Sequence, residues 1–102
     1  MHIHIEILEK SVILRLEGRM DYPAHRDFRD ASDKALDAPE AEAIVIDLAL
    51  VDFMDSAALG MLLLLKEKAG LRNRKVVLRS PSPTILQILK MVHFQKFFEI
   101  QD

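Results

Sequence analysis

The sequence predicts an α/β domain in which a small mixed β-sheet is packed with helices in the order ββαβαβαβ. Three observations support this fold class. The chain opens with alternating apolar and polar side chains, which is typical of strands with one wet face. The segment 43–48 carries apolar residues on both strand faces, with Asp47 as its one charged residue, which is typical of a central strand in a sheet covered by helices. Segments of helical period lie on both sides of that run.

The first two strands are predicted by alternation. Apolar side chains stand at Ile3, Ile5 and Ile7, and again at Val12, Leu14 and Leu16. Residues 9–11 are a short enough connection between the two segments to favour a hairpin. We therefore expect these two strands to pair antiparallel.

The first helix is predicted to follow the segment 18–21. Asp21 is expected to cap it, and Pro23 falls in its first turn, where a missing N–H costs nothing. Residues 37–39 end the helix. Its apolar face consists of Ala24, Phe28, Ala31 and Ala35, at spacings of helical period.

Further helices and strands follow the central strand. A helix is predicted from Ser56 to about Gly70, then a turn at residues 71–74 and a strand at 75–79. Ser82 is expected to cap a last helix that begins with Pro83. Its inner stripe is Ile85, Leu86, Leu89 and Val92, and residues 97–100 form the last strand. Helical crossovers between successive strands imply parallel pairing.

Composition narrows the functional classes. The 102 residues suit one domain, 1–102, with its own core. The absence of cysteine excludes disulfides and thiolate metal sites. We find no signal peptide and no apolar run near the roughly 20 residues that span a bilayer, so we expect a cytoplasmic protein without membrane insertion. A net charge of −2 does not favour nucleic-acid binding.

The most informative segment is residues 53–60, Phe-Met-Asp-Ser-Ala-Ala-Leu-Gly. It places Ser56 between a strand and a helix, where unpaired N–H groups and the positive end of the helix dipole favour a phosphate. This predicts a phosphorylation switch at Ser56. An acidic patch formed by Asp21, Asp52 and Asp55 would repel the added phosphate or steer a basic partner.

The order of elements and two motifs resemble the STAS domain, a family named for sulfate transporters and anti-sigma factor antagonists. Residues 51–60 are similar to the family pattern aspartate-serine-(serine or threonine)-glycine-leucine-glycine, and residues 18–21 match glycine-x-hydrophobic-aspartate. The resemblance covers essentially the whole chain. Its length is similar to that of stand-alone bacterial antagonists.

The resemblance implies a function in transcription regulation by partner switching. An anti-sigma factor that is also a serine protein kinase is expected to phosphorylate Ser56. The unphosphorylated form, monomeric when free, binds that kinase and releases its target, such as a sigma factor, and a metal-dependent serine phosphatase restores the binding form. Asp21 matches a family position that contributes to partner binding. The sequence departs from the pattern at Ala57 and Ala58, and His93 stands where relatives often have glycine.

The partner surface is expected around Ser56 and along its helix. The apolar residues of that helix cover more than one face, so the extra leucines either contact neighbouring helices or form an exposed patch for the partner. The predicted partner-binding residues are Asp21, Asp52, Met54, Asp55, Ala57, Ala58, Leu59, Met61 and Leu64.

Other chemistry is weakly supported. Ser56 as an isolated helix cap is the plainest alternative, and the segment around it lacks the glycine-flanked elbow of serine hydrolases, so we expect no enzymatic activity. His2 and His4 share a strand face. We interpret them as surface residues rather than as ligands of a metal site. Asp52 and Asp55 form a carboxylate pair in the sequence, but no third acid is placed to bind Mg²⁺ with them, so no cofactor is expected. Asp52 is interpreted as a turn residue. The alternative function is a constitutive STAS structural subunit of a transport or signalling assembly.

Overall fold

The computed structural model describes residues 1–102. The strands are β1 (His2–Ile7), β2 (Ser11–Met20), β3 (Ala43–Met54), β4 (Lys75–Arg79) and β5 (Glu99–Gln101). The helices are α1 (His25–Asp37), α2 (Ser56–Leu71) and α3 (Pro83–Met91), with 3-10 turns at Tyr22–Ala24 and Phe94–Lys96. The predicted order ββαβαβαβ is confirmed.

The five strands form one sheet in the order β1-β2-β3-β4-β5. β1 and β2 pair antiparallel, with Ile5 opposite Leu14, because their connection is too short for a crossover. The remaining neighbours pair parallel, and a helix connects each pair. The predicted mixed sheet with an opening antiparallel pair is therefore confirmed.

The helices pack on one face of the sheet. Each crossover moves one strand further in the same direction, so crossovers of the same hand place all three helices on the same side. Leu14, Ile46 and Leu78 lie side by side on this face and are fully buried. They share one core cluster with Phe28 of α1 and Leu89 of α3. The predicted inner face of α1 is confirmed by the burial of all four of its residues.

The opposite face of the sheet carries charged side chains, so the prediction that helices cover both faces of β3 is wrong. Asp47 accepts a hydrogen bond from Arg79 Nη2 at 3.0 Å and lies 3.8 Å from Arg15 Nε. Arg15 also pairs with Glu6 at 3.0 Å. Burial opposes ionisation of Asp47, but the Ala49 N–H and the Arg79 guanidinium outweigh it and lower the pKa of Asp47.

β2 and β3 extend beyond their predicted ends. β4 pairs only with residues 43–47 of β3, so the rest of β3 is paired with β2 alone. Two register shifts interrupt that pairing, and the second leaves Asp52 as an extra residue between the Gly18–Val51 and Arg19–Phe53 pairs. Alternation does not encode such bulges, so the sequence pattern ends the strand too early.

Arg72 and Arg74, which follow α2, bind the C-terminal carbonyl groups of α1. Arg72 Nη1 donates to the carbonyl oxygen of Leu36 at 2.6 Å and to Asp37 at 2.8 Å. Arg74 Nη1 donates to the carbonyl oxygens of Ala35, at 3.2 Å, and of Leu36. The last carbonyl groups of a helix lack an i+4 partner; that of Ala35 also accepts a hydrogen bond from the N–H of Ala38 at 3.3 Å.

The last helix begins and ends near its predicted residues. The Oγ of Ser82 accepts a hydrogen bond from the N–H of Ile85 at 3.3 Å, and His93 adopts a left-handed conformation, with φ 62°, just after the helix. The final strand lies later than predicted because Phe98 packs into the core against Phe94. None of the helices combines the length and apolar character needed to cross a membrane.

Candidate functional site

Ser56 is the first residue of α2, and it is exposed. Strand β3 ends at Met54, and Asp55 remains extended, with φ −110° and ψ −176°, before the helix begins. Asp55 is the cap, because its Oδ1 accepts a hydrogen bond from the N–H of Ala58 at 3.0 Å. Capping therefore needs no contribution from Ser56, and its side chain faces solvent.

The first turn of α2 is suited to negative charge. The N–H groups of Ala58 and Leu59 already donate to the carbonyl oxygen of Asp55, at 3.1 and 3.4 Å. The N–H groups of Ser56 and Ala57 precede these bonds and lie at the positive end of the helix dipole. A phosphate on the Ser56 hydroxyl would therefore find backbone donors nearby.

Asp55 also connects this helix to the segment before α1. Its Oδ2 accepts a hydrogen bond from the N–H of Tyr22 at 3.3 Å, while its own N–H donates to the carbonyl oxygen of Met20 at 3.4 Å. The segment that contains Asp21 is thus held against the start of α2. The residues on both sides of Asp21 thus bind Asp55.

Asp21 does not cap a helix through its side chain, so that prediction is wrong. The chain first makes the 3-10 turn at Tyr22–Ala24, and α1 begins only at His25. The Asp21 carboxylate instead lies 3.3 Å from Arg19 Nε, and the Arg19 guanidinium lies 3.9 Å from the centre of the Phe53 ring. This places a cation beside one of the two acids near Ser56.

Asp52 is a strand residue, not the turn residue predicted. It is exposed at the bulge of β3 and takes part in neither the ion pairs nor the side-chain hydrogen bonds of the chain. Only two of the three expected acids therefore belong to the network beside Ser56. Asp52 lies just before them along the same strand.

The nine predicted partner-binding residues divide by exposure. Met54 and Ala58 are 5% and 0% exposed and belong to the core, so the prediction that they contact a partner is corrected. Their side chains point inward because Met54 ends a buried strand face and Ala58 lies on the sheet side of α2. Ala57, Leu59 and Met61 are half-buried.

The outer side of α2 carries an exposed apolar patch. Leu63 is 42% exposed and Leu64 is 49% exposed, whereas Leu62 and Leu65 are buried. Neighbouring helices therefore do not cover all of the leucines, and of the two alternatives left by the sequence the exposed patch is observed. Exposed apolar patches of this kind are typical of interaction surfaces.

Three residues near Ser56 were not singled out by the sequence pattern. Tyr22 is 63% exposed and Phe53 is 37% exposed, and Arg19 lies between Phe53 and Asp21. Their positions in or next to the segments 18–21 and 51–60 were the only sequence feature that could have pointed to them. The pairing of Arg19 with Phe53 depends on the register of β2 and β3, which the sequence does not reveal.

The histidines do not build a catalytic group with Ser56. His25 Nδ1 lies 2.8 Å from the carbonyl oxygen of Tyr22, and His2 and His4 contact each other on the edge strand, with their Nε2 atoms 2.9 Å apart. No cluster of three or more histidine or carboxylate side chains is placed to hold a metal ion. The arrangement leaves the Ser56 side chain exposed at the start of α2.

Comparison with known proteins identifies the family of this chain. The family profile described as "Mlab, STAS domain" matches residues 3–100. A STAS-domain containing protein of Pseudomonas aeruginosa is 38% identical over 91 residues, which cover 89% of this chain and 88% of that protein.

One further relative and one solved structure are antagonists by name. The anti-sigma F factor antagonist of Paenibacillus polymyxa is 28% identical over 106 residues, covering 100% of this chain and 87% of the relative. The structure of the anti-sigma factor antagonist SpoIIAA in its unphosphorylated form superposes with a TM-score of 0.77 at 24% identity. That superposition covers 99% of this chain and 88% of SpoIIAA and shows a shared fold.

Proposed function

This chain belongs to the STAS-domain family, and from that membership we propose that it is an anti-sigma factor antagonist switched by phosphorylation of Ser56. In the unphosphorylated form it binds an anti-sigma factor that is also a serine protein kinase. Relatives named anti-sigma F factor antagonist support the general role. The single observation that carries the switch is the exposed Ser56 hydroxyl at the start of α2, beside Asp55 and Asp21.

The fold can carry a phosphate at Ser56 without rearrangement. The side chain faces solvent, so the modification displaces no packed atom. A phosphoserine adds about −1.5 to −2 charges and three acceptor oxygens, which the N–H groups at the start of α2 can partly satisfy. Phosphorylation should therefore leave the stability of the domain nearly unchanged.

A docked partner responds differently to the same phosphate. A partner that covers Ser56 must remove water from the phosphate, and the nearest carboxylates, Asp55 and Asp21, repel it. An uncompensated charge buried at an interface costs several kcal/mol, which lowers affinity by orders of magnitude. Arg19 already contacts Asp21 and so offsets only part of this repulsion.

The contact surface that we propose surrounds Ser56 and continues along α2. Its acidic part is Asp21, Asp52 and Asp55, and its apolar part is Ala57, Leu59, Met61 and Leu64. The charged and the apolar residues of this surface then contribute differently to partner binding. The acids set the sensitivity to phosphate, and the half-buried and exposed apolar side chains supply contact area.

The test is phosphate transfer in vitro. We would incubate the chain with ATP and each serine-kinase-like anti-sigma factor of its host, then measure intact mass and locate the phosphate by fragmentation. Ser56→Ala should abolish transfer, and Thr84→Ala, which removes an exposed hydroxyl from the first turn of α3, should not. A metal-dependent serine phosphatase of the host should reverse the modification.

The opposite result would favour a constitutive subunit. If no kinase transfers phosphate and protein from its native host carries none under several growth conditions, the switch is excluded. Ala57 and Ala58 replace residues of the family pattern. The phosphate-transfer test is therefore needed to decide between the switch and the constitutive subunit.

A further inference from the structure

Strand β1 leaves one edge of the sheet open. The strand order places β1 and β5 at the two edges. β5 has three residues, and short edge strands are one way in which proteins prevent their sheets from pairing edge to edge. β1 has six residues, contains no proline or lysine, and pairs with β2 in an unbroken register. Of the two edges, the edge of β1 therefore offers the regular ladder to which another strand could pair.

The backbone groups at this open edge can be assigned from one hydrogen bond. The N–H of Leu8 donates to the carbonyl oxygen of Ser11 at 2.8 Å, so the backbone of Leu8 is directed toward β2. Backbone direction alternates along an antiparallel pair. The N–H and C=O groups of Ile3, Ile5 and Ile7 are therefore directed away from β2, where the sheet has no further strand.

The same isoleucines place apolar side chains along the edge. Ile5 and Ile7 lie on the helix side of the sheet, because they stand opposite Leu14 and Val12, which are buried in the core. Ile5 is nevertheless 37% exposed and Ile7 is 66% exposed, since no element lies beyond β1. An edge with free backbone groups and exposed apolar side chains is the kind of surface to which an extended strand adds.

A hollow of about 250 Å³ lies between β1 and α1 at this edge. Its apolar lining consists of Met1, Ile3, Ile5 and Ala31, and the rest of the lining is polar, from His2 and charged residues of α1. Those charged side chains are exposed, so they can stay hydrated when an apolar group enters the hollow. The hollow therefore has room for an aliphatic side chain from an added strand.

The sequence of β1 is complementary to itself in one antiparallel register. When Ile5 lies opposite Ile5 of a second copy, Ile3 lies opposite Ile7. On the other face of the sheet, His4 then lies opposite Glu6. The outward-directed backbone groups face each other at three residue pairs and can form about six hydrogen bonds, two at each pair. The exposed Ile7 of each copy falls beside Ile3 of the other, at the hollow.

Charge and backbone direction favour this register over its neighbours. A shift of two residues in one direction places Glu6 opposite Glu6, and like charges directly opposite each other are unfavourable. A shift of two in the other direction places His4 opposite His4 and Ile7 opposite Met1, beyond the strand. A shift of one residue sets polar side chains against isoleucines. Glu6 is already bound by Arg15, so its contact with His4 determines the register more than the affinity.

The outer side of α1 also fits a twofold axis at Ile5. α1 connects the parallel strands β2 and β3, so it runs in the direction of β1, and an axis that reverses β1 also reverses α1. Asp27 and Lys34 lie at the hollow and take part in no ion pair within the chain. The axis brings the Lys34 end of one α1 toward the Asp27 end of the other, so opposite charges approach each other.

We propose that the chain forms a symmetric homodimer in which the β1 strands of two copies pair antiparallel about Ile5. The two five-stranded sheets then continue into each other, and the same patch serves both copies. The free form is accordingly a dimer rather than the monomer that the family resemblance implies. Neither Ser56 nor α2 takes part in this surface, so the dimer does not depend on the proposed phosphorylation switch.

The first test is the mass of the purified chain by sedimentation equilibrium. The mass should approach twice that of the monomer as concentration rises, with a dissociation constant of about 1–100 μM, as for a small interface. Ile5→Pro removes an outward N–H at the axis without breaking a hydrogen bond to β2, so this variant should stay monomeric. Ile7→Lys should raise the dissociation constant by about tenfold or more, whereas Leu71→Lys, which adds the same charge at another exposed position, should not change it.

Cysteine cross-linking tests the register. The natural chain contains no cysteine, so each variant carries a single thiol. Opposite residues of a hydrogen-bonded antiparallel pair have Cα atoms about 5.5 Å apart, which a disulfide can span. Ile5→Cys should therefore oxidise to a covalent dimer, and Leu71→Cys should not. Covalent dimers of His4→Cys or Glu6→Cys in preference to Ile5→Cys would overturn the pairing about Ile5.

Two other results would overturn the dimer itself. One is a mass that remains monomeric up to about 1 mM, a concentration at which even a weak specific dimer is populated. The other is a dimer that persists in both Ile5→Pro and Ile7→Lys, since it would use a surface other than β1. Circular dichroism establishes that each variant is folded, and Ile7→Lys keeps the test decisive if Ile5→Pro unfolds.

Discussion

The carboxylate of Asp55 joins the start of α2 to the loop before α1 by accepting a hydrogen bond from the N–H of Tyr22 at 3.3 Å. The same carboxylate caps α2 through Ala58. One side chain thus fixes both segments that flank Ser56, so a partner that binds over Ser56 meets a surface already in place.

Replacement of Asp55 tests this connection. Asp55→Ala removes both acceptors and should lower the free energy of unfolding by about 1 kcal/mol. For a domain of this size the melting temperature should fall by roughly 4–8 °C. Asp55→Asn keeps one side-chain oxygen and should lose less. Urea unfolding measures both losses, and an unchanged free energy of unfolding in Asp55→Ala would show that neither hydrogen bond matters.

Ser56→Asp separates folding from binding. The added carboxylate lies in the exposed first turn of α2, so the melting temperature should remain close to that of the natural chain. Affinity for the kinase partner should fall by about tenfold or more, or at least ~1.4 kcal/mol, because the charge must be desolvated beside Asp55. Isothermal titration with Ser56→Ala as the uncharged control checks this. Unfolding of Ser56→Asp would contradict it.

Leu64→Lys tests the apolar patch of α2. A lysine at this half-exposed position should be tolerated by the fold, whereas partner affinity should fall because apolar contact area is lost. Leu71→Lys is the matched control, since Leu71 is 82% exposed at the far end of the same helix. Equal affinities of the two variants would remove α2 from the partner surface.

The Asp47 network predicts a pH dependence of stability. The pKa of Asp47 is lower in the folded chain than the usual value of 3.8, so the unfolded chain takes up its proton at higher pH. The stabilisation is therefore complete above that usual value and is lost as pH falls through the folded pKa.

Asp47→Asn is the variant that isolates this contribution. It should cost about 1–2 kcal/mol at neutral pH and should make stability vary less between about pH 5 and pH 2. Urea unfolding at several pH values measures both effects. Asp52→Asn, which alters an exposed acid without an ion pair, should leave the profile unchanged, and a parallel profile for Asp47→Asn would refute the assignment.

His93 predicts a stabilising substitution. Its left-handed conformation is unfavourable for a residue with a Cβ, so His93→Gly should raise the free energy of unfolding by about 0.5–1 kcal/mol. His93→Ala retains the Cβ and should give no gain. Thermal unfolding distinguishes the two, and a gain in both variants would place the effect in the imidazole rather than the backbone.

The elements that sequence patterns predicted well are those in which local periodicity and burial agree. Phe28 and Ala35 lie at helical spacing and are buried, and Ser56 begins its helix because Asp55 can cap it. The alternation of Ile3 and Ile5 also predicted β1, but burial does not follow it, because Ile5 is 37% exposed and Ile7 is 66% exposed on this edge strand.

The remaining features depend on tertiary contacts. Asp21 contacts Arg19 instead of capping a helix, because a 3-10 turn intervenes. Asp52 lies at a bulge, and the side of α2 on which Ala58 falls is set by packing against the sheet.

The arginines that follow α2 have a consequence for how the domain opens. Arg72 and Arg74 both donate to the carbonyl oxygen of Leu36. The last turn of α1 is therefore completed by residues that lie 35 or more positions later in the chain. Neither segment can open alone without exposing unpaired backbone groups. We therefore expect the C-terminal turn of α1 and the turn after α2 to open as one unit, so that their amide hydrogens exchange with solvent together.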